Sequence, residues 1–189
     1  MIRIAMLGDI GSGKSYVAKQ FGWPVFNADS EVTKLYKKNR KCYYKLKKKL
    51  PNYITSFPVK KIELLKAIVA NHKNLKKIVK IIHPEIRNKM NDFIKKNRRK
   101  KLIILDIPLL IENKLNKKND ILIFINAKKK DINKRLKNRN YKSEKILKKF
   151  QLPVELKKKK ADFIIKNNFR SNLIKKNVKK ILKNILSNA

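Results

Sequence analysis

The sequence is poor in cysteine and lacks long apolar runs, and each shortage excludes a class of protein. Cys42 is the only cysteine among 189 residues, so an intrachain disulfide is impossible and a reducing compartment is expected. The longest apolar run, 102–111, is too short to span a bilayer and carries Asp106. We therefore expect a soluble chain without a membrane partner, long enough for one globular domain with a proper core.

Acidic residues are also scarce, 13 against 52 lysines and arginines, and the formal charge of +39 would ordinarily indicate a nucleic-acid partner. The excess is nearly all lysine, spread over the whole chain without a basic patch, and the shares of asparagine and isoleucine are raised as well. All three residues have A/T-rich codons, so a biased genome explains them together, whereas DNA binding explains only lysine. Arginine forks and stacking rings, which recognise nucleic acids, are few. No specific nucleic-acid partner is expected.

The most informative motif follows the apolar run 2–7. It is the segment Gly8-Asp9-Ile10-Gly11-Ser12-Gly13-Lys14-Ser15, which matches the phosphate-loop pattern G-x-x-x-x-G-K-[ST] at every fixed position. Backbone N–H groups of such a loop converge on phosphate oxygens, its lysine reaches the outer phosphates, and its serine hydroxyl can complete the shell of a Mg²⁺ ion. A bare glycine turn is the alternative. The predicted nucleotide-binding residues are Gly11, Ser12, Gly13, Lys14, Ser15 and Tyr16.

Extended and helical signals alternate along the rest of the chain. Strands are predicted at 2–7, 24–28, 102–106, 121–125 and 162–165. Continuous apolar strands separated by helical segments are typical of a parallel sheet covered on both faces. The predicted fold class is therefore α/β, with a five-stranded parallel core and helices on both faces. In such a sheet, ligands bind at the carboxyl ends of the strands.

The stretch after the second predicted strand contains no comparable apolar run. We predict a helical insertion at 31–100, with breaks near Pro51, Pro58 and Pro84. The core would then comprise residues 1–30, 101–137 and 161–189 of a single domain. A phosphate loop that begins at residue 8 leaves no room for a signal peptide, so a cytoplasmic location is expected.

Several further motifs, taken with the phosphate loop and in this order, resemble the dephospho-CoA kinase family. They are Pro-Val-Phe-Asn-Ala-Asp at 24–29, Ile-His-Pro-Glu-Ile-Arg at 82–87, Asp-Ile-Pro-Leu-Leu-Ile-Glu at 106–112, Arg-Leu-x-x-Arg at 135–139, Gln-Leu-Pro at 151–153 and Ala-Asp-Phe-Ile-Ile-x-Asn at 161–167. The resemblance covers residues 2 to about 170. It implies transfer of the γ-phosphate of ATP to the 3′-hydroxyl of dephospho-CoA, the last step of coenzyme A biosynthesis. ATP and Mg²⁺ are the implied cofactors, and a monomer is expected.

Two aspartates at predicted strand ends carry the chemistry that the resemblance implies. Asp29 matches the final aspartate of the family's D-A-D motif and would be the general base that accepts the acceptor's proton. Its alternative role is an N-cap for a helix starting near Ser30, and the two roles are compatible. Asp106 ends the third predicted strand and is the candidate to orient Mg²⁺ or its waters, together with Ser15. A cap or turn is the alternative for Asp106.

The acceptor-binding residues also come from the resemblance. His83 precedes Pro84 at a predicted helix start, where holding the acceptor and capping the helix are alternatives. Arg87, one turn further along, is the better candidate to contact an anion. A solvated surface charge is its alternative role. The family's acceptor-side wall corresponds to Pro108, Leu109, Leu110 and Glu112. Simple packing is the alternative for the leucines.

Two arginines follow the fourth predicted strand at a spacing of four, Arg135 and Arg139, with Asp131 one turn earlier. All three are expected on one helix face, with Arg135 partly paired to Asp131. Arg139 is then available to stabilise charge on the transferring phosphate, so it joins Lys14 and Asp29 as a predicted catalytic residue. A lid is predicted at 138–160, closing over ATP to exclude water.

The chain departs from the family pattern at four positions. Asp9 replaces a usual glycine, Asn27 replaces the first aspartate of D-A-D, and Lys166 replaces another aspartate. Tyr16 replaces a common threonine and keeps its backbone N–H but loses a compact hydroxyl, so weaker ATP affinity is expected. None of these changes removes the loop lysine, the loop serine or the predicted base.

Two other functions remain open on the sequence alone. A phosphate-loop kinase of another specificity, for a nucleoside or nucleotide, would share the loop and the lid and differ in the helical insertion. A nucleic-acid-binding protein that uses ATP would need a localised basic groove, which the even spread of lysines does not indicate.

Overall fold

The computed structural model describes residues 1–137 and 151–187. The chain forms two compact units. We call them the sheet unit, the described part of Met1–Asn27 and Asn97–Ala189, and the helical unit, Ala28–Lys96. Within residues 1–137 and 151–187, no helix is both long and apolar enough to cross a membrane.

The sheet unit is built on five parallel strands. They are β1 (Ile2–Leu7), β2 (Val25–Asn27), β3 (Leu102–Asp106), β4 (Ile121–Ala127) and β5 (Phe163–Asn167), in the spatial order β2-β3-β1-β4-β5. Its helices are α1 (Lys14–Gln20), α6 (Lys129–Leu136), α7 (Val154–Lys159) and α8 (Ser171–Ser187). The predicted five-stranded parallel α/β fold is confirmed.

Both faces of the sheet are buried, which explains why its strands are continuously apolar. On one face, Ile4 and Met6 of β1 pack in a core with α1 and with α8, whose apolar stripe is Ile174, Val178, Ile181 and Ile185. The alternate residues Ala5 and Leu7 are equally buried on the other face. The spacing of the α8 stripe is that of an amphipathic helix laid on a sheet.

β1 is the central strand, flanked by β3 and β4. From β1 the chain first builds β2 and β3 on one side and then crosses to build β4 and β5 on the other. This reversal of strand order next to β1 is the topological switch point where ligands bind in open α/β sheets. The loop that follows β1 is the predicted phosphate loop.

The helical unit contains α2 (Ala28–Lys38), α3 (Arg40–Lys49), α4 (Lys61–Ala70) and α5 (Lys73–Lys96). The Asn39 side chain caps α3 by accepting a hydrogen bond from the Cys42 backbone N–H at 2.8 Å. Cys42 is buried, and this burial raises the pKa of its thiol to about 11. The predicted helix breaks near Pro51 and Pro58 are confirmed, because both residues lie in the connection between α3 and α4.

The predicted break near Pro84 is wrong, because Pro84 lies inside α5. A proline in a helix interior removes one backbone hydrogen bond and crowds the preceding turn. Here the apolar stripe of α5 runs through the proline at four-residue spacing: Ile78, Ile82, Ile86 and Met90 are all buried. Burial of this stripe on both sides of Pro84 outweighs the local cost, so the helix continues.

Candidate active site

The phosphate loop wraps tightly at the carboxyl end of β1. Gly8 has φ 143°, and a Cβ there would lie 2.8 Å from the Ile125 carbonyl oxygen, so only glycine fits. The Lys14 ammonium donates hydrogen bonds to the Gly8 and Asp9 carbonyl oxygens at 3.0 and 2.9 Å. These contacts place the cationic end of Lys14 against the first half of the loop.

The loop is also held from the end of β5. The Asn167 amide donates to the Ser12 carbonyl oxygen at 2.7 Å and accepts from the Phe169 N–H at 2.8 Å. A Cβ at Gly13 (φ 89°) would lie 2.5 Å from the Asn167 amide nitrogen, so this close approach also requires glycine. Asn167 belongs to the Ala-Asp-Phe-Ile-Ile-x-Asn motif, but the sequence alone did not indicate this supporting contact.

A polar chain links the phosphate loop to the ends of two neighbouring strands. Asn27 of β2 and Asp106 of β3 are register partners, so their side chains lie side by side. The Asn27 amide donates to the Asp106 carboxylate and, at 3.3 Å, to the Ser15 hydroxyl. The structure therefore brings Ser15 and Asp106 together, with Asn27 between them. Asp106 is buried, whereas the Ser15 side chain is exposed.

An open pocket of about 370 Å³ borders the second half of the loop. It is lined by Gly11, Gly13, Lys14, Ser15, Tyr16, Arg135 and Leu136. Its volume suits a small-molecule ligand. Five of the six predicted nucleotide-binding residues line it. The sixth, Ser12, is buried.

Arg135 and Tyr16 each contact the segment that follows β5. The Arg135 guanidinium lies over the Phe169 ring, 4.5 Å from its centroid, in a cation–π contact. The expected ion pair of Arg135 with Asp131 is absent from the described part of the chain. The Tyr16 hydroxyl donates to the Ser171 hydroxyl at 2.9 Å. Phe169 and Ser171 were not predicted from the sequence.

The predicted acceptor-side residues, which follow β3, differ in burial. Leu110 is 1% exposed and belongs to the core, so packing is its role. Leu109 is partly exposed, with φ 57°, and lines a small cavity that Lys14 also lines. Pro108 is partly exposed next to it. Glu112 accepts a hydrogen bond from the Leu152 N–H at 3.0 Å and is therefore engaged with the chain before α7.

Within the helical unit, the structure corrects the alternative role of Asp29. Helix α2 begins at Ala28, so Asp29 lies inside the first helical turn and is not an N-cap. A carboxylate in the first turn still interacts favourably with the N-terminal end of the helix. The Asp29 carbonyl oxygen accepts a hydrogen bond from the Thr33 hydroxyl at 2.9 Å. Its carboxylate is exposed and two residues beyond the end of β2.

His83 and Arg87 lie one turn apart in the middle of α5, so the alternative role of His83, a turn or cap at a helix start, is wrong. Burial and, to a lesser extent, the nearby positive charge of Arg87 lower the pKa of His83. His83 is therefore a neutral imidazole at physiological pH, able to donate and accept hydrogen bonds. Arg87 is exposed on the same side of the helix.

The remaining predicted catalytic residue, Arg139, lies outside the described residues, as does the greater part of the predicted lid at 138–160. The last part of that range contains Gln151, which lines the small cavity shared with Lys14, and the short helix α7.

Comparison with known proteins assigns the chain to a family. A family model described as dephospho-CoA kinase matches residues 2–173. A dephospho-CoA kinase of Wolbachia pipientis is 33% identical over 95% of this chain and 95% of its own length, and that of Bartonella quintana is 33% identical over 98% of each.

Solved structures agree on the fold. A Thermus thermophilus protein of known crystal structure is 25% identical, with a TM-score of 0.75 over 99% of this chain and 97% of its own. The dephospho-CoA kinase of Campylobacter jejuni has a TM-score of 0.65 over 97% of this chain and 96% of its own, at 23% identity. With the phosphate loop built at the switch point and the family match over nearly its whole length, the chain belongs to the dephospho-CoA kinase family.

Proposed function

We propose that this chain uses its phosphate loop to bind ATP and transfers the γ-phosphate to the 3′-hydroxyl of dephospho-CoA. Family membership makes the chain an ATP-dependent kinase. The observation that supports the proposal most strongly is the loop at the end of β1, with the Lys14 ammonium at 3.0 Å or less from two of its carbonyl oxygens and Ser15 linked to Asp106 through Asn27.

Mg²⁺ is part of the proposal, and the donor set fits it. Ser15 and Asp106 supply a hydroxyl and a carboxylate beside the loop, joined by the Asn27 amide. Residues 1–137 and 151–187 hold no group of three or more His, Cys, Asp or Glu side chains that could bind a metal. A Mg²⁺ site does not require such a group, because the ion is usually held by one or two carboxylates together with phosphates and waters. The ion would neutralise charge on the β- and γ-phosphates.

Lys14 and the loop amides would bind and orient the triphosphate. The ammonium is already held at the loop by the Gly8 and Asp9 carbonyl oxygens, and it would exchange these partners for the outer phosphate oxygens. The pocket beside Tyr16 and Arg135 is the proposed site for the nucleoside part of ATP. Arg135, held over Phe169, would form one wall of it.

Asp29 would accept the proton of the 3′-hydroxyl. In the proposed step, a bond forms between the 3′-oxygen and the γ-phosphorus while the bond from the γ-phosphorus to the bridging oxygen breaks, and ADP leaves. An ionised carboxylate suits a base in this role. Arg139 is proposed to stabilise charge on the transferring phosphate. His83, Arg87, Pro108, Leu109 and Glu112 are the proposed acceptor-side residues.

The acceptor can be tested directly. Purified protein with ATP and Mg²⁺ is supplied in parallel with dephospho-CoA, a set of nucleosides and nucleotides, or single-stranded and duplex DNA, and ADP release is followed. We expect rapid release with dephospho-CoA only, together with formation of coenzyme A detected by mass spectrometry. Release that is stimulated equally by a nucleoside or by DNA would contradict the proposed acceptor.

A further inference from the structure

One buried lysine beside the phosphate loop, Lys157, has no part in the mechanism above. Lys157 of α7 is buried, with a side chain only 3% exposed. Its ammonium lies 3.5 Å from a carboxylate oxygen of Asp9, in the loop, and 3.8 Å from a carboxylate oxygen of Glu112. A buried ammonium is costly unless paired, so this lysine is held where it is by its two carboxylates.

The cluster is part of the loop's support. The same oxygen of Glu112 accepts a hydrogen bond from the Leu152 N–H at 3.0 Å, so Glu112 is tied to the chain that leads into α7. Lys157 and Lys14 line one small cavity, which Gly8 of the loop also lines. Lys14 contacts the Asp9 carbonyl oxygen and Lys157 contacts the Asp9 carboxylate, so two lysines hold this one loop residue by different groups.

The stretch of chain from α7 to the end of β5 therefore contacts the loop at two points. Lys157 holds its first half through Asp9, and Asn167, ten residues further along, holds its second half through the Ser12 carbonyl oxygen at 2.7 Å. If Lys14 leaves the Gly8 and Asp9 carbonyl oxygens to bind a phosphate, Lys157 can still contact the Asp9 carboxylate, because that contact does not involve Lys14. The first half of the loop therefore keeps a partner in the nucleotide-bound state.

The charges also matter for an anionic ligand. Asp9 places a carboxylate in a loop that must receive a triphosphate, and Glu112 places a second one nearby. Like charges brought together in this way are strongly unfavourable. With Lys157 the cluster carries one net negative charge, and without it two. Asp9 would then repel the phosphates that the loop has to bind.

We propose that Lys157 is a positioning residue for nucleotide binding, which neutralises Asp9 and fixes the first half of the phosphate loop. This inference rests on the proposed binding of ATP at that loop. It explains how the chain tolerates an aspartate at position 9, where the family usually has glycine. It also assigns a role to one lysine among the many that composition alone explains.

The test measures ATP binding by calorimetry without acceptor, together with KM for ATP, kcat and the melting temperature. Lys157→Met keeps the length of the side chain and removes its charge, and we expect the Kd for ATP to rise at least about tenfold. Lys157→Arg keeps the charge and should stay near wild type. Lys179→Met, at an exposed lysine of α8 outside the predicted lid, is the control and should change nothing.

The double variant Asp9→Asn/Lys157→Met separates this role from simple support of the fold. Removing the Asp9 charge should restore the Kd for ATP to within about threefold of wild type, since the repulsion is gone. Unchanged ATP affinity in Lys157→Met overturns the inference, and so does a loss that the double variant does not repair. If Lys157→Met does not fold, the double variant decides alone: it must fold and bind ATP. Failure of the wild type to bind ATP would instead overturn the proposed function.

Discussion

At the scale of single residues, Asn27 shows how a neutral side chain alters the edge of the sheet. The family's aspartate at this position would put two carboxylates side by side on paired strands, because Asn27 and Asp106 are register partners. The amide instead donates hydrogen bonds to both Asp106 and the Ser15 hydroxyl. The chain therefore orders this edge by hydrogen bonding, with one negative charge less than the family pattern.

Lys14 is the residue whose removal should separate catalysis from folding. Lys14→Ala removes the ammonium from the outer phosphates, and we expect the rate of coenzyme A formation to fall on the order of 10²-fold or more. The fold should survive, because the two hydrogen bonds described for the ammonium both go to carbonyl oxygens of the loop, which lies at the surface of the sheet's carboxyl end and not in the core. Steady-state kinetics and circular dichroism check both points. Lys19→Ala, in the last turn of the same helix, is the control and should keep full activity.

The residues of the site are predictable to different degrees. Lys14, Ser15 and Asp106 are predictable because a motif or a strand end marks each of them. Asn167 and Phe169 are not, because they meet the loop and Arg135 only when chain segments far apart in sequence are folded together. The role of Asp29 as an N-cap is wrong because α2 starts one residue before it.

At the scale of elements, Glu63 organises the connection between α3 and α4. One of its carboxylate oxygens accepts hydrogen bonds from the backbone N–H groups and hydroxyls of Thr55 and Ser56, and the other accepts from the Lys60 N–H at 3.0 Å. Burial alone would raise the pKa of Glu63, but these hydrogen bonds outweigh it and lower the pKa to about 2. The carboxylate is thus the hub of this connection and of the start of α4.

Glu63→Gln should therefore destabilise the protein in a pH-dependent way. Glutamine turns an NH₂ group toward one of these donors, and we expect a loss of about 1–3 kcal/mol in the free energy of unfolding at neutral pH. Because the folded pKa is depressed, the stabilisation is complete above pH about 4.5 and is lost as the pH falls toward 2. The difference between wild type and variant should shrink over that window in urea titrations.

The control for this prediction is Glu155→Gln, since the Glu155 side chain is 80% exposed. Its unfolding curve should match that of the wild type at every pH. A Glu63→Gln variant as stable as the wild type at neutral pH would show that the hydrogen-bonded carboxylate does not stabilise the connection.

Strands are more predictable than helix ends in this chain. The bounds of β1 and β3 are those predicted from their apolar runs. β4 and β5 continue two residues beyond the predicted ends, because backbone pairing of Asn126 with Lys166 and of Ala127 with Asn167 does not depend on side-chain polarity. The prediction that a proline ends a helix is wrong at Pro84, because burial of the long apolar stripe of α5 outweighs one unfavourable residue.

At the scale of the whole molecule, the charge of +39 makes a separate prediction. If it results from codon bias, binding to DNA should be weak, indifferent to sequence and steeply reduced between low and physiological salt. Fluorescence anisotropy with two unrelated duplexes at several salt concentrations measures this. Tight binding at physiological salt that favours one duplex would contradict it.

The central claim is that the chain phosphorylates dephospho-CoA with Asp29 as the general base. The most direct measurement is the rate of coenzyme A formation by the wild type, by Asp29→Asn and by Asp92→Asn, a control at an exposed aspartate of α5. ATP affinity and melting temperature are measured on the same samples. Asparagine keeps the size of the side chain but cannot take the proton.

We predict that the wild type and Asp92→Asn form coenzyme A at equal rates, while Asp29→Asn is slower by roughly 10²–10⁴-fold with nearly unchanged ATP affinity and melting temperature. Full activity in Asp29→Asn would contradict the assignment of the base. Loss of ATP binding together with activity would place Asp29 at the Mg²⁺ ion instead. A wild type that forms no coenzyme A from ATP and dephospho-CoA would contradict the account as a whole.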